Sequence, residues 1–263
     1  MKKTPILLAF ILLVGCSTVP ITGRKQISFI PQGQLTQLSS QSYNQILSQS
    51  QVVKGTDWDK TVIAVGQKIA ASAETFMREN GMEKDLANYQ WEFNLINDPK
   101  TVNAFCMPGG KIVVYTGILP IVQDESGLAA VMGHEVAHAI ANHGGERMSQ
   151  QLLVQLGGMS LSQALKSKPE ATQKILKQVY GAGSQYGVLL PYSRAHESEA
   201  DRIGLILMAR AGYDPAVAMT LWKRMSALEK SKSPEFLSTH PATEKRIAEI
   251  EKQLPEARKY LTP

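Results

Sequence analysis

The chain has 263 residues, of which 43% are hydrophobic and 19% are charged, which is the composition of a globular protein. A disordered chain would be more polar, and a polytopic membrane protein would be more apolar, so the composition argues against both classes. The net charge of +5 is spread along the chain without a concentrated basic stripe, and we therefore predict no nucleic-acid binding.

The N-terminus carries the three parts of a bacterial lipoprotein signal in order: two lysines, an apolar run over residues 5–15, and a cysteine. The run is too short for a membrane span, which needs about 20 residues, and it ends in a Leu-Val-Gly-Cys sequence that resembles the lipobox. We predict a signal peptide over residues 1–15 and lipidation of Cys16; the alternative is an uncleaved anchor with a chance cysteine. Because Ser17 rather than an aspartate follows the cysteine, we expect a lipid-anchored protein of the bacterial cell envelope, in the outer membrane and facing the periplasm.

The next segment, residues 16–57, is polar and rich in Gln, Ser and Thr. We predict a lipidated N-terminus and tether there, with a short helix around 33–50. From Trp58 the apolar residues recur at spacings of three and four, which predicts an amphipathic helix up to about Asn80. We assign residues 58–263 to a single domain.

Two strand regions follow the first long helix. Strict alternation over residues 89–96 predicts a half-buried strand with Asn94 on its exposed face. Residues 103–106 and 111–115 flank a Pro-Gly-Gly turn and predict a hairpin. Beyond the hairpin the pattern is helical almost to the end of the chain, so the predicted class is α+β: one mostly helical domain with a small mixed β-sheet.

One of these helices carries a metal-binding pattern. Asp124 is the predicted N-cap of a helix that runs to His143 and contains His134-Glu135-Val136-Ala137-His138. Histidines four apart lie on the same face, so both imidazoles can reach one ion. Glu135 lies about 100° round the helix from His134, close enough to face a water held by that ion. Two nitrogens, one oxygen and an open position for water suit zinc, and we predict one Zn²⁺ per chain; the alternative is a helix with two partly exposed histidines.

A third ligand is expected from a later helix. Glu197 and Asp201 are four apart, so Glu197 can bind the metal while Asp201 accepts a hydrogen bond from the far nitrogen of a ligand histidine. Glu199 is expected to face elsewhere, and His196 could be a surface histidine. His143 comes one residue too early for a third histidine ligand, so we predict that it supports a ligand or caps its helix. The alternative for this segment is a solvated acidic helix start.

Together these motifs resemble the gluzincin peptidases of the HtpX and CAAX-prenyl-protease type, family forty-eight of the metallopeptidases. The matching stretches run in order over residues 89–250 and comprise Asn103-Ala104-Phe105, Pro108 to Val114, Gly117-Ile118-Leu119, His134 to His138 with His143, Glu146 and Arg147, Tyr192-Ser193-Arg194, Glu197 to Asp201, and Ser238 to Arg246. A soluble lipoprotein branch of the family fits best, because the membrane spans of HtpX and of the prenyl proteases are missing here. The resemblance implies a gluzincin-like domain whose active-site helix carries the HExxH motif.

The resemblance and the motifs agree on hydrolysis of peptide bonds, with Glu135 as the general base. His240 is expected to donate a hydrogen bond to the oxyanion, reinforced by Arg246; the alternative is that His240 only caps a helix. Relatives of this kind imply quality control, with unfolded or damaged envelope proteins as substrates. A chaperone-like or binding lipoprotein with a non-catalytic zinc site and a zinc hydrolase of non-peptide amides are the alternative functions.

A substrate-binding strand completes the prediction. It consists of Lys111, Ile112, Val113, Val114 and Tyr115, which would pair with an extended substrate through main-chain hydrogen bonds. The alternative is an ordinary edge or core strand, because sheet edges are usually protected rather than used.

Overall fold

The computed structural model describes residues 16–19, 22–157, 159–179, 193–229 and 234–261. The predicted signal peptide, residues 1–15, lies outside the described residues, as does Tyr192 of the family motif. Within the described residues, no helix is both long enough and apolar enough to cross a membrane.

The elements bear out the predicted α+β class, mostly helical with a small mixed sheet. The strands are β1 (Cys16–Thr18), β2 (Lys25–Ile27), β3 (Val52–Val53), β4 (Glu92–Ile96), β5 (Ala104–Met107) and β6 (Lys111–Tyr115). The helices are α1 (Gln32–Ser48), α2 (Asp57–Glu79), α3 (Leu119–Val122), α4 (Glu125–Ile140), α5 (His143–Gln155), α6 (Leu161–Ser167), α7 (Pro169–Val179), α8 (Arg194–Arg210), α9 (Ala216–Glu229), α10 (Glu235–Thr239) and α11 (Glu244–Ala257). The helix predicted from Trp58 is confirmed as α2, and Thr56 caps it by accepting from Asp59 N at 3.2 Å.

The main sheet has the order β3-β4-β6-β5. Strands β5 and β6 form the predicted hairpin, in which Cys106 lies opposite Ile112. Strand β4 runs parallel to β6, with Leu95 opposite Val114, and β3 pairs antiparallel with β4. Gly109 and Gly110 close the hairpin with φ angles of 86° and 77°, a conformation that glycine adopts without a steric penalty.

This order corrects the predicted substrate strand. Residues Lys111–Tyr115 form β6, which is hydrogen-bonded to β4 on one side and to β5 on the other. All five residues are buried. Because both edges of β6 are already occupied, it cannot pair with a substrate, and the alternative of a core strand is the correct one.

The predicted half-buried strand is confirmed at Glu92, which is exposed, but not at Asn94, where both faces of the sheet are covered. Ile112 packs into the core formed with α2 and α4, whereas Val113 packs into a second core formed with α1. Asn94, predicted to face solvent, is only 9% exposed and donates to Tyr43 Oη at 2.8 Å. The alternation fails at Asn94 because its side chain hydrogen-bonds to the Tyr43 hydroxyl of α1, a helix whose sequence is mostly polar.

The segment over residues 16–57 packs against the body wherever it is described, and it is not a free tether. Strands β1 and β2 form a hairpin in which Cys16 lies opposite Ile27. Val19 is 1% exposed and Leu35 is fully buried. The predicted short helix is α1, which supplies the second layer over the sheet.

Helix α4 has 16 residues and crosses α8 at close backbone distance. Asp124 caps it as predicted, accepting from Gly127 N at 2.8 Å. The helix ends at Ile140 rather than at His143, because Asn142 adopts a left-handed conformation with φ 54° and His143 begins the new helix α5. Where α4 crosses α8, a Cβ on Gly204 would lie 3.0 Å from His134 N, so only small residues permit this approach.

Candidate metal centre

Four side chains converge at the crossing of α4 and α8. We call them the donor set: His134, His138, Glu197 and His240, whose ligand atoms all lie within 4.8 Å of one another. His134 Nε2 lies 3.0 Å from His138 Nε2 and 3.2 Å from His240 Nδ1. Glu197 Oε1 lies 3.3 Å from His138 Nε2 and 3.0 Å from His240 Nδ1. All four residues are at most 5% exposed.

This spacing fits a zinc ion. Donors at about 2.0–2.2 Å from zinc in a tetrahedron lie roughly 3.3–3.6 Å from one another. Four of the six donor–donor separations, at 3.0–3.3 Å, come within a few tenths of an ångström of that value, and all six are within 4.8 Å. Imidazole nitrogens and one carboxylate are also the donor types that zinc takes in proteins, so the residues present fit the ion.

Glu135 lies beside the donor set without belonging to it. Its Oε1 is buried, has no hydrogen-bond partner, and lies 3.5 Å from His240 Nε2. Burial raises the pKa of the Glu135 carboxyl, although the neighbouring histidines oppose the shift. A buried carboxylate oxygen without a partner and with a raised pKa is suited to accept a proton from a reactant.

Asp201 and Arg246 support two of the donors. Asp201 Oδ1 lies 3.0 Å from His134 Nδ1, so it can accept that hydrogen and leave Nε2 with its lone pair towards the centre. Arg246 donates to both Asp201 oxygens at 2.7 Å and lies 2.5 Å from Glu197 Oε2. Its guanidinium also stacks 3.5 Å above the centroid of Trp222. The two carboxylates are thereby fixed on opposite sides of one buried cation.

The pKa shifts agree with this geometry. Burial and Arg246 would lower the pKa of His134, but its hydrogen bonds to Asp201 and Glu197 raise it to about 9. Burial would raise the pKa of Glu197, but Arg246 and the histidines hold it well below the usual range. A metal at this site must therefore displace a proton from His134, whereas Glu197 is already an anion.

His240 reaches the centre from a position other than the one predicted. It follows the last residue of α10, and its ring stacks on Phe236 with 4.7 Å between centroids. The helix that His240 would cap in the alternative prediction begins instead at Glu244, where Thr243 accepts from Arg246 N. His240 is therefore not the N-cap of a helix, and its side chain points into the donor set.

His143 and Glu199 form a second contact to the donor set. His143 Nδ1 lies 2.9 Å from His138 Nδ1, as expected of a residue that supports a ligand. Its Nε2 lies 3.0 Å from Glu199 Oε2. Glu199 does face away from the donor set, but it is only 5% exposed, so it is part of the interior rather than of a solvated helix start.

A second buried polar cluster surrounds Glu199, and the sequence analysis did not anticipate it. We call Arg24, Glu146, His196 and Glu199 the arm cluster, because Arg24 comes from the N-terminal hairpin. His196, expected at the surface, is 4% exposed and lies 3.0 Å from Glu146 Oε2. Glu146 belongs to one of the family motifs, and this was the signal in the sequence that could have indicated a role for it. The polar segment around Arg24 contains no comparable signal.

The chain is similar to known peptidases. A family model described as peptidase family M48 matches residues 64–254. The chain is 35% identical over 241 residues to mitochondrial metalloendopeptidase OMA1 of Schizosaccharomyces pombe, covering 91% of this chain and 66% of the relative. It is 30% identical over 246 residues to the human mitochondrial metalloendopeptidase OMA1, with coverage of 91% and 46%.

A bacterial relative is also found. The chain is 26% identical over 241 residues to the β-barrel assembly-enhancing protease of Escherichia coli, covering 89% of this chain and 47% of the relative. The chain thus spans about half to two thirds of the length of these three relatives. These three relatives are named OMA1 or β-barrel assembly-enhancing protease, so they do not support the predicted resemblance to the HtpX and prenyl-protease type. Because the family model matches well over half of the residues, the chain belongs to peptidase family M48.

Proposed function

We propose that the protein is a zinc-dependent endopeptidase. The observation that carries this proposal is the donor set itself: four buried donors at zinc spacing, beside a Glu135 oxygen that has no hydrogen-bond partner. The metalloendopeptidase names of the relatives support the same activity.

Each residue has a role in this proposal. His134, His138 and Glu197 would hold the zinc, which when bound polarises a carbonyl and makes its water acidic enough to react near neutral pH. Glu135 accepts the proton of the attacking water and delivers it to the leaving amine. Asp201 and Arg246 keep His134 and Glu197 in the orientation that binding requires.

His240 has two candidate roles. As an oxyanion donor, it would hydrogen-bond to the tetrahedral intermediate, the role expected from the sequence. Its Nδ1, 3.0 Å from Glu197 Oε1 and 3.2 Å from His134 Nε2, favours instead a place as a fourth donor in this conformation. A catalytic zinc keeps one position open for water, so His240 would then have to leave the donor set before a substrate reacts.

Substrates are proposed to be extended or unfolded polypeptides. With β6 buried, the sheet edges in the described structure are β3 and β5, and β5 packs against the active-site helix α4. Ala104 N is satisfied by the side chain of Asn103 at 2.9 Å rather than by another strand. All four residues of β5 are buried, so a substrate strand could pair with this edge only after the Asn103 side chain and the segments that cover β5 move away.

We further propose quality control at the bacterial cell envelope, with unfolded or damaged envelope proteins as substrates. The name of the Escherichia coli relative supports this setting, whereas the OMA1 relatives are mitochondrial. The lipid anchor at Cys16, in the outer membrane facing the periplasm, stays a prediction. Because Cys16 lies opposite Ile27 in a packed hairpin, an acyl group there would hold the body close to the bilayer.

The rival function is a chaperone-like or binding lipoprotein with a non-catalytic zinc site. The four donors are consistent with this rival function, because structural zinc sites are normally closed by four protein ligands. Incubating the purified protein with unfolded casein, with and without a chelator, separates the two functions. Cleavage that the chelator stops and zinc restores supports the peptidase, and zinc binding without cleavage supports the rival.

A further inference from the structure

A line of hydrogen bonds leads from His138 away from the donor set. His138 Nδ1 lies 2.9 Å from His143 Nδ1, and His143 Nε2 lies 3.0 Å from Glu199 Oε2. Both rings are at most 2% exposed. Two ring nitrogens that face each other at hydrogen-bond distance share one hydrogen, so one nitrogen donates and the other accepts.

The carboxylate of Glu199 determines which atoms donate and which accept along this chain of hydrogen bonds. A carboxylate can only accept, so His143 carries a hydrogen on Nε2 and donates it to Glu199. The Nδ1 of a neutral His143 is then an acceptor, and His138 donates to it from its own Nδ1. This leaves the Nε2 lone pair of His138 towards the donor set. The reverse direction would place a hydrogen on His138 Nε2, where it would exclude a metal.

The outer end of the line is held by the N-terminal segment. Thr22 Oγ1 donates to Glu199 Oε1 at 2.5 Å, and Arg24 Nε donates to Glu199 Oε2 at 2.7 Å. Arg24 also contacts both oxygens of Glu146, at 3.2 and 2.9 Å. His143, Thr22 and Arg24 all donate to the oxygens of Glu199, so its carboxylate acts as the acceptor at this end.

We propose that Arg24 is a positioning residue of the metal centre. It holds Glu199 in place as an acceptor; Glu199 and His143 in turn keep the hydrogen of His138 on Nδ1 and present Nε2 to the ion. The N-terminal hairpin is thus part of the support of the metal centre, although no atom of it enters the donor set. The inference rests on the proposed zinc site.

The test compares variants of the full chain. Zinc affinity is measured by competition with a chromophoric chelator, and thermal stability is measured in the zinc-free protein. Supporting partners of ligand histidines typically contribute 10–100-fold to metal affinity. Because Arg24 acts two steps beyond His143, the direct partner of His138, we expect Arg24→Gln to weaken zinc binding by about 10-fold, the lower end of that range. Arg24→Lys keeps the charge but loses the planar guanidinium that contacts Glu199 and Glu146 together. Its zinc affinity should therefore lie between those of Arg24→Gln and the wild type.

The matched control is Arg210→Gln. Arg210 forms an ion pair with Glu79, and its side chain is 18% exposed, compared with 25% for Arg24. Arg210 ends α8 away from the donor set, so its loss should lower the melting temperature without changing zinc affinity. A second measurement needs no variant: long-range proton–nitrogen NMR spectra of the zinc-free wild type should show the His138 hydrogen on Nδ1.

The outcomes separate this inference from the proposed function. If the wild type binds no zinc, the zinc peptidase proposal fails. If the wild type binds zinc but Arg24→Gln binds it equally well, Arg24 has only a packing role and this inference is wrong. A His138 hydrogen found on Nε2 would also overturn it, even if both Arg24 variants fail to fold.

Discussion

The donor set and the arm cluster are both built from buried histidines and glutamates, and both draw on α8, through Glu197 and Glu199. In the arm cluster the acceptors are paired with donors of the chain itself: Arg24 alone contacts both glutamates at 2.7–3.2 Å. In the donor set the ring nitrogens face one another at 3.0–3.2 Å, and Arg246 lies beside both Glu197 Oε2 and His134 Nε2, at 2.5 and 3.2 Å.

This difference shows what marks a metal site in a buried polar interior. The donors are at most 5% exposed, whereas the Arg24 side chain of the arm cluster is 25% exposed. The carboxylates of the arm cluster are paired with hydrogen-bond donors, whereas three ring nitrogens and a carboxylate oxygen of the donor set converge on one another, which is the arrangement of metal ligands.

Removing the metal or the base should have the largest effect. A chelator should abolish cleavage of unfolded casein, and added zinc should restore it, because the proposed reaction needs the ion to activate water.

Glu135→Gln should bind zinc normally but lose at least about 10²-fold in turnover, because Glu135 is a proton acceptor and not a ligand. Equal turnover of Glu135→Gln and the wild type would contradict the assignment of the base.

His240→Ala should distinguish a donor from a supporting residue. Because His240 Nδ1 lies at ligand spacing, we expect its loss to weaken zinc binding, measured by chelator competition, with the turnover per bound zinc retained. Unchanged zinc content with turnover reduced by roughly 10²–10³ would instead assign the oxyanion role. A much lower melting temperature, with normal zinc affinity and turnover, would leave His240 with a packing role only.

The donor set also depends on the close approach of α4 and α8. In Gly204→Ala the new Cβ would lie 3.0 Å from His134 N, so the helices must separate slightly. We expect a loss of about 1–3 kcal/mol in the free energy of unfolding, together with weaker zinc binding, because His134 and Glu197 move apart. Chemical denaturation and chelator competition measure the two effects.

Gly33→Ala is the matched control for this substitution. Gly33 lies in α1, and no atom lies within 4 Å of its added Cβ. Alanine should therefore leave zinc affinity unchanged and stabilise the protein by about 0.5–1 kcal/mol, through its helix propensity. If both alanine variants bind zinc equally well, the helix crossing does not control the donor set.

The sequence was sufficient where the relevant spacing is local. His134 and His138, and likewise Glu197 and Asp201, share a helix face because they are four residues apart, so their convergence followed from helix geometry. That two such helices meet at Gly133 and Gly204 is a tertiary fact, which the residue pattern alone did not reveal.

The errors come from contacts between distant segments. Strand β6 was predicted to bind substrate because the residue pattern gave no sign that β4 pairs along its second edge. Glu199 faces away from the donor set as predicted, but its partner Arg24 was not anticipated, because Arg24 lies 175 residues earlier in a segment expected to be a tether. Helical periodicity indicates which side of an element is buried, but it does not identify the partner that covers it.

The smallest expected effect is a pH dependence of the arm cluster. Burial would raise the pKa of Glu146, but hydrogen bonds from His196 and Arg24 lower it from 4.5 to about 2. The stability contributed by this carboxylate is therefore present above pH 4.5 and is lost as the pH falls towards 2. Glu146→Gln removes it at every pH, so the variant should be less stable than the wild type at pH 7, and the difference in unfolding free energy should shrink below pH 4.5.

Glu256→Gln serves as the exposed counterpart, since its partner Arg202 also lowers the carboxyl pKa, but their side chains are 36% and 33% exposed. Solvent screens such a pair, so its variant should differ less from the wild type at pH 7. Denaturant unfolding between pH 7 and about pH 3 measures both differences, the lower limit lying between the unfolded and folded pKa values of Glu146. If the loss caused by Glu146→Gln does not vary with pH, Glu146 stabilises the arm through packing rather than charge. The pairing of carboxylates with Arg24, which separates the arm cluster from the donor set, would then matter less to stability than the geometry indicates.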